Sequence, residues 1–570
     1  MASCIGREAS RPYRPIHPST LTPPMTHSLP LSLALLLLSL TAPAYAQVDP
    51  SFDPLPLPEP LPEEPALESP EPSTVPDASE DTTPIAVTQI QIQGSTVFSA
   101  ADLAELVAPY ENRTLTFGEL QALAQLLNQR YLEAGYITTQ VRIPEQVITD
   151  GIVVIEVLEG ELAEIIVTDE SRYRDYITSR LNLASTAPLS QPELEAQLQL
   201  LQLGGLFDTV SAQLQAGDGP GTSRLTVSVE EANPFQGEVF VDNYSPRSVG
   251  ETRVGSRLSY RSLLALGDTL SLAVTTTQTE GAQAYTLGYQ VPVSPQDATV
   301  RLGFSYENFR ITDDSNPIFN LGIRGNAQVY EAEFRYPLIR SPQEELALGL
   351  GFRHRDGQSV ILGAITFPNR TSVLQFSQDY LRRDGSGAWV ARSQFNLGTD
   401  WFDATLNPDP QPDGQFLSWL GQVQRVQRLN PDNLLIVRAD LQLSGDSLLG
   451  SEQFVIGGGQ SVRGYRQNVR SGDGGLRLSV ENRIVVNRRL DGSPRLQLVP
   501  FMDWGAVWFN NPATQPTQQN VLWGTGLGVI FTPLSGLEAR LEAGIPLINL
   551  REITDQGGGA QLHFSLGYRW

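Results

Sequence analysis

From about residue 235 to the end, apolar and polar residues alternate with a period of two. "TLSLAVTT" puts Leu270, Leu272 and Val274 on one face. "AYTLGYQV" does so with Tyr285, Leu287, Tyr289 and Val291, and "TVRLGFSYE" with Val300, Leu302, Phe304 and Tyr306. Turn signals such as "GD", "DGSG" and "NPDP" split the segments. The last one, "QLHFSLGYRW", sets Phe564, Leu566, Tyr568 and Trp570 on one face and His563, Ser565, Gly567 and Arg569 on the other. An apolar face for lipid and a polar face for an interior predict a transmembrane β-barrel. A soluble sandwich or propeller alternates too, but the aromatic strand ends and a secretory leader weigh against it. At about 20 residues per strand and turn the region predicts roughly 16 antiparallel strands, and bacterial barrels favour even counts.

Upstream, period-two strands alternate with helical stretches. "VTQIQIQ" reads as a strand, and Ser99 and Asp102 in "SAADLAEL" mark a helix start. Thr116-x-x-Glu119 opens "FGELQALAQLLNQRYLEAG" as a capping box, and Gly135 suits its C′ position. "YITTQVRIP" and "GIVVIEVLEG" follow as strands. The order then repeats: strand "LAEIIVT", short helix "RDYITSRL", a helix capped by Ser190-x-x-Glu193, and strands "VSAQLQA" and "RLTVSVEE" joined by "GDGPGTS". Residues 85–160 and 161–232 thus predict two β-α-α-β-β modules, each large enough for one small core.

The first 84 residues are of another kind. "LPLSLALLLLSLTAPAYA" (Leu29–Ala46) ends in an A-x-A site after an apolar run too short to span a bilayer, so residues 1–46 read as a cleaved signal peptide. Residues 47–84 hold 11 Pro, 10 Asp or Glu and no Arg, and predict an extended, disordered linker without a core. Its acidity reads mainly as that of a solvated spacer, with recruitment of a partner as the lesser alternative. The net charge is −24, and removing the leader (+2) and the linker (−10) leaves −16 for residues 85–570.

That balance argues against nucleic acid as a partner. All 39 basic residues are Arg. "GGGQSVRGYRQN" (Gly457–Asn468) resembles a phosphate cradle, but without any lysine it is no Walker-type loop. The single cysteine, Cys4, and two of the four histidines, His17 and His27, lie in the leader. His354 and His563 are far apart, so neither a zinc site nor a His-based triad is indicated, and no catalytic residue, cofactor or metal is expected.

The order of parts now matches a family. A leader, a Pro-rich stretch, two such modules and a barrel resemble a two-partner secretion transporter of the hemolysin activator/secretion protein type, within the wider outer-membrane assembly-factor superfamily. The modules resemble POTRA domains, and "EAGYITTQVRIPEQVITDGIVVIEVLEG" (Glu133–Gly160) is similar to the signature of the first. "LLALGDTLSLAV" resembles an early barrel hairpin. "SVRGYRQN" resembles the VRGY motif (Val462, Arg463, Gly464, Tyr465), and "FMDWG" the F-x-D-x-G motif (Phe501, Asp503, Gly505).

The resemblance covers about residues 85–570. It implies an outer-membrane barrel with periplasmic modules that secretes one unfolded exoprotein partner. It also implies contact with outer-membrane lipid and with the barrel assembly machinery, for which Phe564, Leu566, Tyr568 and Trp570 form the C-terminal signal. It implies that VRGY tips a loop after about the eleventh strand that folds into the lumen, where Arg463 meets Asp503. The strand phase agrees: Phe501, Asp503 and Gly505 share the face opposite Met502, so that face should be luminal. Tyr465 reads equally as packing or as part of the conduction path. Family members can carry an N-terminal helix that plugs the barrel; the prolines of 47–84 predict none, or a very short one. An assembly factor of the same superfamily, which tends to have three or more modules and VRGF in place of VRGY, is the near alternative. A passive porin and an outer-membrane enzyme are more distant ones.

Overall fold

A computed structural model describes residues 55–58, 61, 67–68, 83–168, 171–316, 318–408, 411–511, 520–550 and 559–570. The expected signal peptide lies outside the described residues, as does most of the linker.

One two-stranded pair stands apart from the modules' main sheets. β1 is Leu67–Glu68, in the linker, and β2 (Pro84–Val87) pairs with β4 (Arg113–Thr116). In the first module β3 (Gln89–Gln93), β5 (Gln140–Arg142) and β6 (Ile152–Leu158) form a sheet in the order β3-β6-β5, with helices α1 (Ala100–Val107) and α2 (Phe117–Glu133). Both predicted capping boxes close, Ser99 with Asp102 and Thr116 with Glu119. Leu120, Leu123, Leu127 and Tyr131 stack along α2 at helical spacing and pack on Val153, Ile155 and Val157 of β6.

The second module holds β7 (Glu161–Val167), α3 (Arg174–Leu181), α4 (Gln191–Leu203), β8 (Phe207–Ala216) and β9 (Thr222–Glu231). Its sheet order is β1-β8-β9-β7, so the linker strand lies outside β8. Leu194, Leu198 and Leu201 of α4 pack on Val210 and Leu214 of β8 and Leu225 and Val227 of β9. One expectation fails here. Ser190 stands at the N-cap of α4, but its side chain makes no capping bond. The helix start is docked on the first module instead, where Gln191 N donates to the Gly135 carbonyl at 3.0 Å and Pro192 abuts Gly135.

Residues 235–569 close into a barrel of sixteen antiparallel strands. The alternation fixes the faces as read: Leu272, Tyr285, Leu287, Leu302 and Phe304 point out, while Arg353, Gln422, Gln424, Asp440 and Glu481 are buried inside. The last strand (Gln561–Arg569) zips onto the first (Phe235–Asp242), with Val239 opposite Tyr568 and Asp242 opposite Ser565. Leu566, Tyr568 and Trp570 face outward there, and His563 is buried within. Trp570 packs near Phe235 at the periplasmic end, with ring centroids 6.5 Å apart. The first strand leaves the second module, so odd-numbered strands run outward and the longer connections are extracellular, as in bacterial barrels.

The linker is not unpaired throughout. Besides β1, Leu55 is buried and the Pro56 carbonyl accepts from Gln424 Nε2 at 3.2 Å. Gln424 lies on the inner face of the tenth barrel strand (Leu417–Asn430). Prolines rule out helix and ladder but leave carbonyls and single apolar side chains free to bind.

Candidate functional site

The connection between the eleventh (Asn433–Ser444) and twelfth (Gly474–Arg488) barrel strands, residues 445–473, turns back into the lumen. A short hairpin stiffens it: Phe454–Ile456 pairs with Arg470–Gly472. Its tip turns at Gly457, Gly458 and Gly464, all at positive φ, where a Cβ is strained.

At the tip Arg463 is 4% exposed. Its Nε and Nη2 donate to the two oxygens of Asp503 at 2.7 and 2.8 Å, and its backbone N donates to Asp503 Oδ2 at 3.0 Å. Nη1 reaches Glu481 Oε2 at 2.8 Å and Glu542 Oε1 at 2.7 Å. The guanidinium lies over the Phe501 ring, 3.6 Å from its centroid. Ser479 Oγ donates to Asp503 Oδ1 at 2.7 Å. Arg540 bridges Glu481 and Glu542, and Arg483 pairs with Glu481. Three carboxylates thus face three guanidiniums. A buried cluster of this kind is tolerable because opposite charges face one another, although Glu542 Oε2 finds no hydrogen-bond partner. An arginine's planar fork serves Asp503 bidentately while its remaining N–H groups reach the glutamates, which a lysine cannot do.

The other motif residues frame this contact. Val462 is fully buried with Leu420, Phe454, Ile456, Tyr465, Val507 and Leu522. Tyr465 Oη donates to the Ile548 carbonyl at 2.8 Å and accepts from Trp523 N at 3.1 Å, tying the loop to the wall. Phe501, Asp503 and Gly505 do share the luminal face of the thirteenth strand (Pro494–Trp508), and Met502 points out. Gly505 lets the loop approach: a methyl there would come 2.9 Å from Val462 Cγ2. Gly524 and Gly544, on the next two strands, do the same for the backbone of Arg463 and Gly464.

The loop also crosses to the opposite wall. Glu452 pairs with Arg353 Nη2 at 2.5 Å and accepts from Thr371 Oγ1 at 2.9 Å. Those residues lie on the seventh (Glu344–Ile361) and eighth (Ile365–Asp384) strands. The loop is therefore a strut across the lumen with a buried ionic anchor at each end.

Glu481, Glu542, Arg540 and the two wall glycines were not singled out from the sequence. A signal existed: Arg540, Glu542 and Gly544 alternate on the luminal phase of one strand, and Gly524, Gly526 and Gly528 on another.

The family model for the haemolysin secretion/activation protein ShlB/FhaC/HecB matches residues 221–531, and that for the POTRA domain, ShlB-type, matches residues 85–160. The chain is 24% identical over 483 residues to the outer membrane transporter CdiB of Escherichia coli, covering 81% of this chain and 79% of the other. It is 26% identical over 405 residues to the hemolysin transporter protein ShlB of Serratia marcescens, covering 68% and 70%. The solved structure of CdiB from Escherichia coli superposes with a TM-score of 0.69 at 22% identity, over 87% of this chain and 93% of that one. The chain therefore belongs to the haemolysin secretion/activation protein family ShlB/FhaC/HecB, outer-membrane transporters of two-partner secretion systems.

Proposed function

We propose that the barrel conducts one large partner protein, unfolded, from the periplasm to the cell exterior, that the two modules capture it, and that the Arg463 loop gates the path. Added to a sheet edge, an extended segment gains main-chain hydrogen bonds that need little sequence specificity. The observation that carries the gating role is the strut: a buried cluster holds the loop across the lumen, so a polypeptide passes only when the loop shifts. Nothing in this route calls for a cofactor, and folding of the passenger outside would make export one-way.

Arg463→Ala should lower secretion of the partner while the barrel still inserts. An inserted variant that secretes normally would sink the gating role. An assembly factor of the same architecture is separated by depletion. Loss of one exoprotein supports the transporter, and loss of many outer-membrane proteins the assembly factor. Solute flux through the reconstituted barrel tests the porin reading.

A further inference from the structure

The edge of the second module's sheet is already taken by the chain's own linker. β1 runs parallel to β8, with Leu67 opposite Ala212 and Glu68 opposite Gln213. Leu67 packs, half-buried, on the module's apolar core. Gln213 Nε2 donates to Glu68 Oε2 at 3.1 Å. Main-chain pairing along an edge, with an apolar side chain turned in and an acid turned out, is the geometry of strand addition. β1 covers two of the ten residues of β8, a contact small enough for a longer extended segment to displace.

The linker's path is also held at a second point, where Pro56 meets Gln424 inside the barrel. The chain between Pro56 and Leu67 spans at most about 40 Å. A strand tethered so closely competes at an effective concentration of roughly millimolar.

We propose that Leu67–Glu68 is a built-in competitor for the β8 edge. It occupies the place where an extended segment of the exported partner, with one apolar side chain in the position of Leu67, would add. The partner pairs only when this strand leaves. The proposal rests on the reading of the modules as the capture device.

The test uses the full chain in detergent micelles and, as probe, a fluorescent peptide copying residues 62–73. Leu67→Asp removes the inward side chain from the linker and leaves both modules intact. It should bind the peptide about tenfold more tightly than the unaltered chain, the gain from freeing an edge occupied nine-tenths of the time. Equal affinity in the two chains overturns the proposal. So does equal binding of a peptide carrying aspartate in place of its leucine. With Cys4 the one cysteine of the sequence, a Glu68→Cys/Gln213→Cys pair can be locked cleanly. The oxidised chain should lose peptide binding and regain it on reduction; undiminished binding when oxidised counts against the proposal. Secretion separates the two readings. An oxidised chain that still secretes its partner at the normal rate removes β8 as the capture edge, whereas strand competition is judged on the peptide alone.

Discussion

Arg463 makes bonds to three carboxylates, and each kind of substitution removes a different part of them. Arg463→Ala strands Asp503, Glu481 and Glu542 with too few partners, at a cost of roughly 3–5 kcal/mol to loop docking. Arg463→Lys keeps the charge but loses the bidentate grip, so its secretion should lie between wild type and alanine. Gly524→Ala leaves every charge in place yet drives a methyl into the Arg463 carbonyl. It should undock the tip, and planar-bilayer recordings should show higher mean conductance; a wild-type trace would remove the wall glycines from the mechanism. Outside the membrane, Glu159 is the residue to titrate. Burial alone would raise its carboxyl, but hydrogen bonds from Thr96, Val97 and Tyr131 outweigh that and hold it below its ordinary 4.5. Its contribution is therefore complete above about pH 5 and is lost as pH falls through the lowered value. The protection of the Thr96 and Val97 amides against hydrogen exchange, relative to the intrinsic rate at each pH, should fall in the wild type as pH drops through that lowered value, and Glu159→Gln should flatten that dependence. The Arg463–Asp503 pair was legible through the resemblance of the VRGY and F-x-D-x-G motifs to those of the family, and the strand phase that puts Asp503 on the luminal face agreed with it. Glu481 and Glu542 were not, because charged luminal residues are ordinary in a barrel and only the fold brings these two to one guanidinium.

Between elements, an ionic joint helps to set the second module against the barrel, beside the contacts of Arg172 with the Ser262 carbonyl and of Arg261 with the Gly205 carbonyl. Arg180 of α3 pairs with Asp297 in the turn between the fourth (Ala282–Pro292) and fifth (Thr299–Arg310) strands, and Arg340 Nη2 reaches the same carboxylate at 2.5 Å. The Arg180 guanidinium lies 3.4 Å over the Tyr176 ring, whose phenol burial pushes up to about 12. Asp297→Ala removes the shared anion and leaves two guanidiniums facing each other. The cost should be about 1–2 kcal/mol, below that of a fully buried pair because Asp297 and Arg340 each keep 22% exposure. Spin labels on α3 and on the barrel should give a broader distance distribution in this variant. An unchanged distribution would mean that the remaining contacts, those of Arg172 and Arg261 with backbone carbonyls among them, set the joint. No sequence pattern announces such a joint, since its partners lie 117 residues apart. The elements themselves were legible: period-two alternation fixed the barrel faces, and the Thr116 and Ser99 caps fixed two helix starts. The Ser190 cap misled because its helix begins against another module, and β1 was invisible because two residues among prolines carry no periodicity.

At the scale of the whole molecule, two segments from outside the barrel strands reach inside it, residues 445–473 from the extracellular side and the linker at Leu55 and Pro56. The two anchors of the loop sit on opposite walls, strands seven and eight against strands twelve to fifteen. Freeing one end alone leaves the strut pinned at the other, so under the proposed gating the loop must be displaced as a body for a polypeptide to pass. Val462 and Gly505 face each other across that joint, and a covalent bond there would fix the tip without touching an ion pair. A Val462→Cys/Gly505→Cys chain should insert and fold whether oxidised or reduced. Oxidised, it should keep low conductance and stop secreting its partner. Adding reductant should restore secretion in the same cells, which controls for any defect of the substitutions themselves. If the oxidised chain secretes at the wild-type rate, the partner crosses with the tip still docked on the wall, and the route must run past the loop.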